Sequence, residues 1–340
     1  MSEVTLAQLR QRLAQAEEKR AYLERKGQTP PGLARYEMWQ QEYLTHPYVI
    51  GAPADRAAKR FADVFINVAE LGSNGLIGVH DFKKDPSFTV KLTHMIEEFG
   101  LRGGVPPDVI EAARAPALRY FEKGDPIAVQ IFVGYRAPAS PFVVKYGQRR
   151  FLEPMLREGR LRICPASFYN DPALLASVQD DEITRHFFIP TYRERLAGQD
   201  SIVFDGHRLS FGNDDIVVPI VCRDYFLFSL CDHIYYRMPT DFDADAALII
   251  RDPGLFAQRV ISHFLALHPE WDPIYGPVTY YDPYLDYRKF GEPEMMKSFG
   301  YSYQREVRIV FRSKRPVVPS LAPVFLKIGS MTDYAELVFA

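Results

Sequence analysis

A carboxylate and a guanidinium stand two residues apart near the C-terminal end of the sequence, at Glu306 and Arg308. They belong to the segment Tyr-Ser-Tyr-Gln-Arg-Glu-Val-Arg-Ile-Val-Phe, residues 301–311. Aromatic and β-branched residues alternate with polar ones there, which predicts a β-strand. On a strand the two charged side chains point to the same face, about 6–7 Å apart, and Val307, Ile309 and Phe311 point to the other. Because buried charges are costly unless they are paired or used, the pair indicates either a solvent-facing ion pair or a site.

A second concentration of charge lies in the middle of the chain. Six basic residues fall within 18 positions, accompanied by two glutamates: Lys145, Arg149, Arg150, Arg157, Arg160 and Arg162, with Glu153 and Glu158. Such a patch could hold a phosphate group, since Arg and Lys bind phosphate oxygens strongly. The alternative is a solvated helix face with ordinary ion pairs.

The totals describe an ordinary globular chain. It has 340 residues, which favours two domains over one. The formal net charge of −2 gives no global attraction to nucleic acid or to a membrane. No apolar run approaches the roughly 18 residues of a membrane span, and the first residues do not look like a signal peptide. Three cysteines without a Cys-x-x-Cys pair favour a reducing compartment, so we expect a cytoplasmic protein with no membrane partner.

The N-terminal part reads as helical. Residues 5–26 carry apolar residues at spacings of three and four, with Thr5 and Gln8 placed as a capping box. This helix could lie on the protein's own body or serve as an arm for self-association or partner binding. The further expected helices are residues 33–44, 54–71, 87–99 and 107–122.

The predicted secondary structure changes near residue 140. Residues 127–135 form an apolar run that predicts a strand, and the Ala-Pro-Ala-Ser-Pro stretch at 137–141 is the best linker candidate. Beyond it, short strands outnumber helices, which favours an α+β domain with a mostly antiparallel sheet. We therefore predict a mainly helical accessory or regulatory domain over 1–140 and a catalytic α+β domain over 141–340.

Three sets of residues in the second part occur in a recognisable order. They are Val-Lys-Tyr at 144–146 with Phe-Tyr-Asn-Asp-Pro at 168–172, Tyr-Phe-Leu-Phe-Ser at 225–229 with Tyr-Tyr at 235–236, and Tyr-Gln-Arg-Glu-Val-Arg-Ile at 303–309 with Phe-Leu-Lys-Ile-Gly at 325–329. Together they resemble a widespread, largely uncharacterised bacterial family. Its pattern runs from a Lys-Tyr strand and an F-N-D-P loop, through a C-F-S strand, to E-x-E-[YW]-R-I. The order of these elements in turn resembles the ADP-ribosyltransferase fold, with a split antiparallel sheet.

That resemblance implies an enzyme that uses NAD as a substrate. Carried over to this sequence, Glu306 on the late strand would complete the catalytic site. Lys145 or Tyr146 would take the position on the first strand, and Ser229, or one of Tyr235 and Tyr236, the position on the middle strand; Tyr146 and Ser229 are the candidates for catalysis. A fixed carboxylate near the ribose carbon would stabilise the positive charge that develops as nicotinamide leaves. The resemblance also implies a toxin or anti-phage effector that transfers ADP-ribose to a nucleic acid or a protein.

The remaining residues of the implied site would bind NAD. They are Lys145, Asn170, Tyr235, Tyr236 and Arg308. A tyrosine face can stack on the cationic nicotinamide ring, and basic side chains can hold the pyrophosphate. No metal site is expected with this chemistry.

Two other classes of function stay open at this point. Glu306 with Asp282 and Asp286 could form the acidic magnesium cluster of a metal-dependent nuclease. Alternatively, a ring-lined cleft could bind a ligand or partner without catalysis. A requirement for NAD or for Mg²⁺ would separate the two enzymes, and full function after Glu306→Ala would favour the binding module.

Overall fold

The computed structural model describes residues 4–79, 85–122, 126–175, 177–288, 291–314 and 320–340. The α-helices of these residues are α1 (Leu6–Gly27), α2 (Arg35–Thr45), α3 (Ala54–Val68), α4 (Ser87–Leu101), α5 (Pro107–Leu118), α6 (Ile127–Ile131), α7 (Arg149–Glu158), α8 (Tyr192–Leu196), α9 (Met238–Asp241) and α10 (Pro253–Leu267). The strands are β1 (Ala69–Leu71), β2 (Ile77–Val79), β3 (Val143–Gly147), β4 (Arg160–Pro165), β5 (Thr184–Ile189), β6 (Ser201–Phe204), β7 (His207–Ser210), β8 (Ile216–Val221), β9 (Phe226–Cys231), β10 (Ala246–Ile250), β11 (Trp271–Pro277), β12 (Thr279–Tyr281), β13 (Met296–Ser298), β14 (Glu306–Ser313), β15 (Val324–Lys327) and β16 (Ala335–Phe339).

The N-terminal helices share a core of their own. The capping box at Thr5 and Gln8 is present, and Leu9, Ala16 and Leu23 of α1 are buried in this core. The apolar seam of α1 is therefore used within the chain, and self-association through residues 5–26 stays a prediction. The expected helices recur as α2 to α5 with small changes at their ends. One difference is that residues 69–71 leave the helix and pair antiparallel with β2.

The predicted strand over 127–135 is wrong. Residues 127–131 form α6, and Ala128, Ile131 and Phe132 are buried in a cluster with Val144 and Tyr146. These residues stand at positions i, i+3 and i+4, which lie on one face of a helix. The sequence alone shows an uninterrupted apolar run, which fits a buried strand and a buried helix equally well. Packing against the second half of the chain decides between them.

The second half is built on one large antiparallel sheet, as expected for an α+β fold. Its strand order is β11-β14-β9-β3-β10-β16, with β4 pairing to both β9 and β15. A core on one face of the sheet holds the inward residues of β14, among them Phe311, whose ring stacks on Phe264 of α10 at 3.7 Å between centroids. Smaller two-stranded pairs, β5-β8, β6-β7 and β12-β13, lie outside this sheet.

The sheet is split on one side of β9. Strand β14 pairs with β9 along the whole length of β9. Strands β3 and β4 must therefore both meet the other edge of β9. There β3 pairs only at Val144 with Cys231, and β4 pairs only at residues 164 and 165 with Leu227 and Phe226. Between these contacts, residues 228–230 of β9 face a gap between two diverging strands.

The late strand is shorter than predicted. It begins at Glu306, while Phe299–Gln304 form a 3-10 helix and Arg305 adopts a left-handed conformation with φ of 44°. The cause is tertiary, because the Asn67 side chain donates to the carbonyls of Phe299 and Gly300, and its oxygen accepts from the main-chain N–H of Tyr303. The predicted alternation of faces holds from Glu306 onward.

A charged pocket at the split of the large sheet

A pocket of about 260 Å³ opens at the split. The structure brings four of the predicted site residues to its wall from three different strands: Lys145, Tyr146, Ser229 and Glu306. Tyr169, Glu182, Lys297 and Gln304 line it as well. Residues up to 161 positions apart thus share one concave surface, because β3, β9 and β14 lie side by side.

Lys145 reaches into the gap between β3 and β9. Its Nζ donates to the main-chain oxygen of Ser229 at 2.8 Å and lies 4.6 Å from the centroid of the Phe228 ring. The ammonium therefore satisfies a carbonyl at the edge that the split leaves open. Burial lowers the pKa of Lys145, although the charge of Glu306 acts in the opposite direction. In the described part of the chain no carboxylate lies within ion-pair distance of this ammonium.

Glu306 is held by donors on both carboxylate oxygens. Oε1 accepts from the Ser229 hydroxyl and from Arg308 Nε at 2.7 Å, and Oε2 accepts from Lys297 Nζ at 3.1 Å. Burial by itself would raise the pKa of Glu306, but Arg308, Lys297 and the hydrogen bonds outweigh it and hold the pKa well below its usual range. The carboxylate is consequently ionised and fixed in direction.

Arg308 lies beneath the pocket and has no exposed surface. Its guanidinium donates to both oxygens of Glu182, at 2.6 and 2.9 Å, and to the carbonyl of Glu294 at 2.9 Å. Because its donors are used inside the protein, Arg308 orients Glu306 and Glu182. The expected direct contact between Arg308 and a cofactor is not available in this arrangement.

Lys297 joins the two carboxylates of the pocket wall. Its Nζ lies 3.1 Å from Glu306, 3.6 Å from Glu182 and 3.8 Å from Asp180. Arg185 adds a further contact to Glu182 at 3.0 Å. We call Asp180, Glu182, Arg185, Lys297, Glu306 and Arg308 the buried charge network. Its three acids and three bases balance, which offsets the cost of burying them.

Two aromatic rings form the opposite wall. The ring of Tyr146 stacks on Phe242 at 6.3 Å, while its hydroxyl donates to the carbonyl of His233 and accepts from the N–H of Tyr235. Tyr169 contributes the second ring of the lining. The hydroxyl of Tyr146 therefore binds the main chain of the loop after β9.

Three predicted residues lie elsewhere. Asn170 is exposed at the end of a short 3-10 helix, and its neighbour Tyr169 lines the pocket instead. Tyr235 lines a separate cavity of about 510 Å³. Tyr236 packs edge-on against Phe132 at 5.6 Å. These side chains are accordingly removed from the set of candidate pocket residues.

The sequence did not point to Glu182, Lys297 or Gln304. Glu182 ends the acidic run Asp180-Asp181-Glu182 and Lys297 is a lone charge. Neither belongs to a recognised motif, and only the fold places them beside Glu306. The sequence pattern places Gln304 on the predicted strand, but the structure places it on the 3-10 helix before β14. There its Nε2 donates to the carbonyl of Ser177, and its Oε1 accepts from Lys297.

The acidic cluster of the nuclease alternative does not form. Both oxygens of Asp282 are bound by Arg60 at 2.8 Å, and Asp286 accepts from the main-chain N–H of Asp282. Among the residues that the structure describes, no group of three or more His, Cys, Asp or Glu side chains is placed to hold a metal ion. Asp282 serves a structural ion pair instead.

Comparison of the chain with family models, with curated proteins and with solved structures finds no match. Within the described ranges, no helix is both long and apolar enough to cross a membrane. Function must therefore be argued from the geometry of the pocket.

Proposed function

We propose that the protein is an ADP-ribosyltransferase-like enzyme that takes NAD as its substrate in the pocket at the split. The observation that carries this proposal is the meeting of Lys145, Ser229 and Glu306 at one gap in an antiparallel sheet. The motif order in the sequence resembles that of ADP-ribosyltransferases, and these are the residues that the resemblance assigns to three separate strands.

The reaction needs a fixed negative charge beside the ribose. The bond between the ribose C1′ and the nicotinamide nitrogen breaks, and its electron pair goes to the nicotinamide ring, which leaves neutral. A nucleophile of the acceptor forms the new bond to C1′ and releases its proton to solvent. When water is the acceptor, the result is NAD hydrolysis.

Glu306 suits the first of these steps. Its low pKa keeps it ionised throughout the physiological range, and Ser229 and Arg308 fix its direction before any ligand arrives. A preorganised charge of this kind stabilises the transition state without a reorganisation cost. The same low pKa makes Glu306 a poor general base, so we assign it electrostatic stabilisation and not proton abstraction.

The other walls fit the nicotinamide riboside end of NAD. The rings of Tyr146 and Tyr169 both line the pocket and would contact the flat cationic ring of nicotinamide there. Lys145 offers a positive charge that no carboxylate of the described residues pairs with, suited to a ribose hydroxyl or a phosphate oxygen. The volume of about 260 Å³ lies just below the usual range of roughly 300–1,000 Å³ for ligand sites, so the adenosine end would extend outside the pocket.

The test is incubation of the full chain with NAD labelled in the nicotinamide ring, with release of labelled nicotinamide followed by chromatography. We expect release by the unchanged protein and a loss of about 10²–10³ in Glu306→Gln, the usual effect of removing one stabilising contact. Glu158→Gln is the matched control, because Glu158 is an exposed carboxylate bound to Arg160 outside the pocket. NAD binding is measured alongside by calorimetry.

Two results would contradict the proposal. Nicotinamide release that is equal in Glu306→Gln and in the unchanged protein would remove Glu306 from the chemistry. NAD binding without any release would favour the non-enzymatic binding module.

A further inference from the structure

A row of exposed cations and rings runs from the pocket along the outer face of β4 and β15. Leu161, Ile163 and Leu326 point into the core of the second half. The residues between them point the opposite way, as strand geometry requires. This outward row consists of Arg160, Arg162, Phe325 and Lys327. Together with the half-buried Phe168 of the 3-10 helix that follows β4, it is here called the β4-β15 surface.

The members of this surface are in register. Phe325 stands opposite Arg162, and Lys327 stands opposite Arg160, across the antiparallel pair. Phe325 is 72% exposed, a high value for a phenylalanine. The side chains of Arg160 and Lys327 are 63% and 68% exposed. The ring of Phe325 is exposed beside basic side chains and packs into none of the hydrophobic cores of the described residues.

The surface leads into the pocket. The guanidinium of Arg162 lies 4.7 Å from the centroid of the Phe168 ring, and that ring meets Tyr169 edge-on at 5.6 Å. Tyr169 itself lines the pocket. Four strand positions from residue 164 to residue 160 span about 13 Å, the length of three to four stacked nucleotides at roughly 3.4 Å each.

The charge of the surface favours a polyanion. Among the described residues, the ion pairs of its three basic side chains involve one carboxylate, Glu158, which lies 2.9 Å from Arg160 and 3.4 Å from Lys327. Exposed pairs of this kind are weak, typically about 0–1 kcal/mol, and can exchange for phosphate contacts. A second acid, Asp224, is already bound to Ser167 through both of its oxygens.

We propose that the β4-β15 surface binds single-stranded nucleic acid and presents it to the pocket as the acceptor of ADP-ribose. Proteins that bind single strands combine a basic track with aromatic side chains on which bases stack, which is the combination found here. An acidic protein partner would use the cations but would leave the exposed ring of Phe325 without a role. This inference rests on the proposed function for its chemistry, since a base amine or hydroxyl would be the nucleophile that attacks C1′ and loses its proton.

The first experiment measures binding without NAD. Fluorescein-labelled 12-nucleotide single strands of DNA and of RNA, and the corresponding duplex, are titrated with the full chain and followed by anisotropy. We expect single strands to bind more tightly than the duplex. Three cations should give a slope of log K against log salt of about −2, since each phosphate contact contributes roughly −0.7.

Variants locate the binding surface. Phe325→Ala should weaken binding about tenfold, within the range of roughly 1–3 kcal/mol for one stacked base. The control is Phe151→Ala on α7, because Phe151 is also exposed, at 64%, and also has a guanidinium over its ring, that of Arg150 at 4.8 Å. Phe151→Ala should bind like the unchanged protein.

The second experiment adds NAD labelled in the adenosine part. Label should pass to the bound oligonucleotide in the unchanged protein and far less in Phe325→Ala, while nicotinamide release to water stays equal in both. Because binding is measured without NAD, failure of the surface is distinguishable from failure of NAD cleavage. Absence of binding at low salt, equal weakening by both phenylalanine variants, or label that enters protein but never the oligonucleotide would each overturn the inference.

Discussion

Arg308 and Glu182 form a two-bond ion pair between residues 126 positions apart, with N–O distances of 2.6 and 2.9 Å. The same guanidinium also binds Glu306 at 2.7 Å. Glu182 therefore supports the carboxylate of the pocket through a shared base. A residue on a loop before β5 is coupled in this way to the direction of a side chain on β14.

Glu182→Gln should destabilise the protein strongly. The amide can oppose only part of the positive charge of Arg308, Lys297 and Arg185, and breaking a buried pair typically costs about 3–5 kcal/mol. The free energy of unfolding in denaturant measures the effect. Glu153→Gln is the control, because Glu153 pairs with Arg157 at the surface, where the change should stay below about 1 kcal/mol. Equal stability of the two variants would show that the buried charge network contributes little.

Glu306→Gln should lose stability as well as activity. From the sequence alone we expect little change in stability, since an amide keeps the shape of the carboxylate. The structure reverses that expectation, because donors approach both oxygens and the amide would turn its own N–H groups toward Arg308 or Lys297. We expect a loss of about 3–5 kcal/mol in the free energy of unfolding. Activity is therefore compared at a temperature at which both proteins are fully folded, and an unchanged melting curve would contradict the ion-pair role.

The part of the site that could be predicted follows from local pattern. Alternation along residues 306–311 places Glu306 and Arg308 on one face, and this depends only on strand geometry. The resemblance then selects Lys145 and Ser229 on two other strands, and the structure brings both to the same pocket as Glu306.

The part that could not be predicted depends on contacts between distant residues. The 3-10 helix before β14 exists because Asn67, more than 230 positions earlier, binds its main chain. Lys297 and Glu182 belong to no recognised motif, and only the packing of β13 and the segment before β5 against β14 makes them part of the pocket wall. The α6 segment shows the same limit, since its apolar run fits a helix or a strand equally well until its neighbours are known.

Asp215 should make stability depend on pH. Burial raises its pKa to about 7, with Arg56 at 3.4 Å acting in the opposite direction. An acid whose pKa is higher in the folded protein loses stability as pH rises from its unfolded value of about 4 to its folded value of about 7. In Asp215→Asn this loss should be absent. The free energy of unfolding of the variant, relative to that of the unchanged protein, should therefore rise by roughly 2–4 kcal/mol between pH 4 and pH 8. Unfolding free energies over this range test the sign. Asp214→Asn, at the exposed neighbouring position, should show a much smaller gain, because burial is the main cause of the raised pKa of Asp215 and the charge of Asp214 adds less to it.

Gly159 ends α7 in a left-handed conformation, with φ of 70°, and leads directly into β4. A Cβ at this position would lie 2.3 Å from the main-chain oxygen of Gly329 and 2.7 Å from its nitrogen, so Gly159→Ala must displace backbone that cannot give way easily.

Gly198 provides a matched control, because its φ is 72° and a Cβ there would meet nothing within 4 Å. Gly198→Ala should show only the cost of the left-handed conformation, about 1–2 kcal/mol. Gly159→Ala should lose clearly more, and because β4 carries both Arg162 and the loop to Tyr169, it should also weaken oligonucleotide binding. Equal free energies of unfolding for the two alanine variants would show that the close approach of Gly159 to Gly329 does not constrain the start of β4.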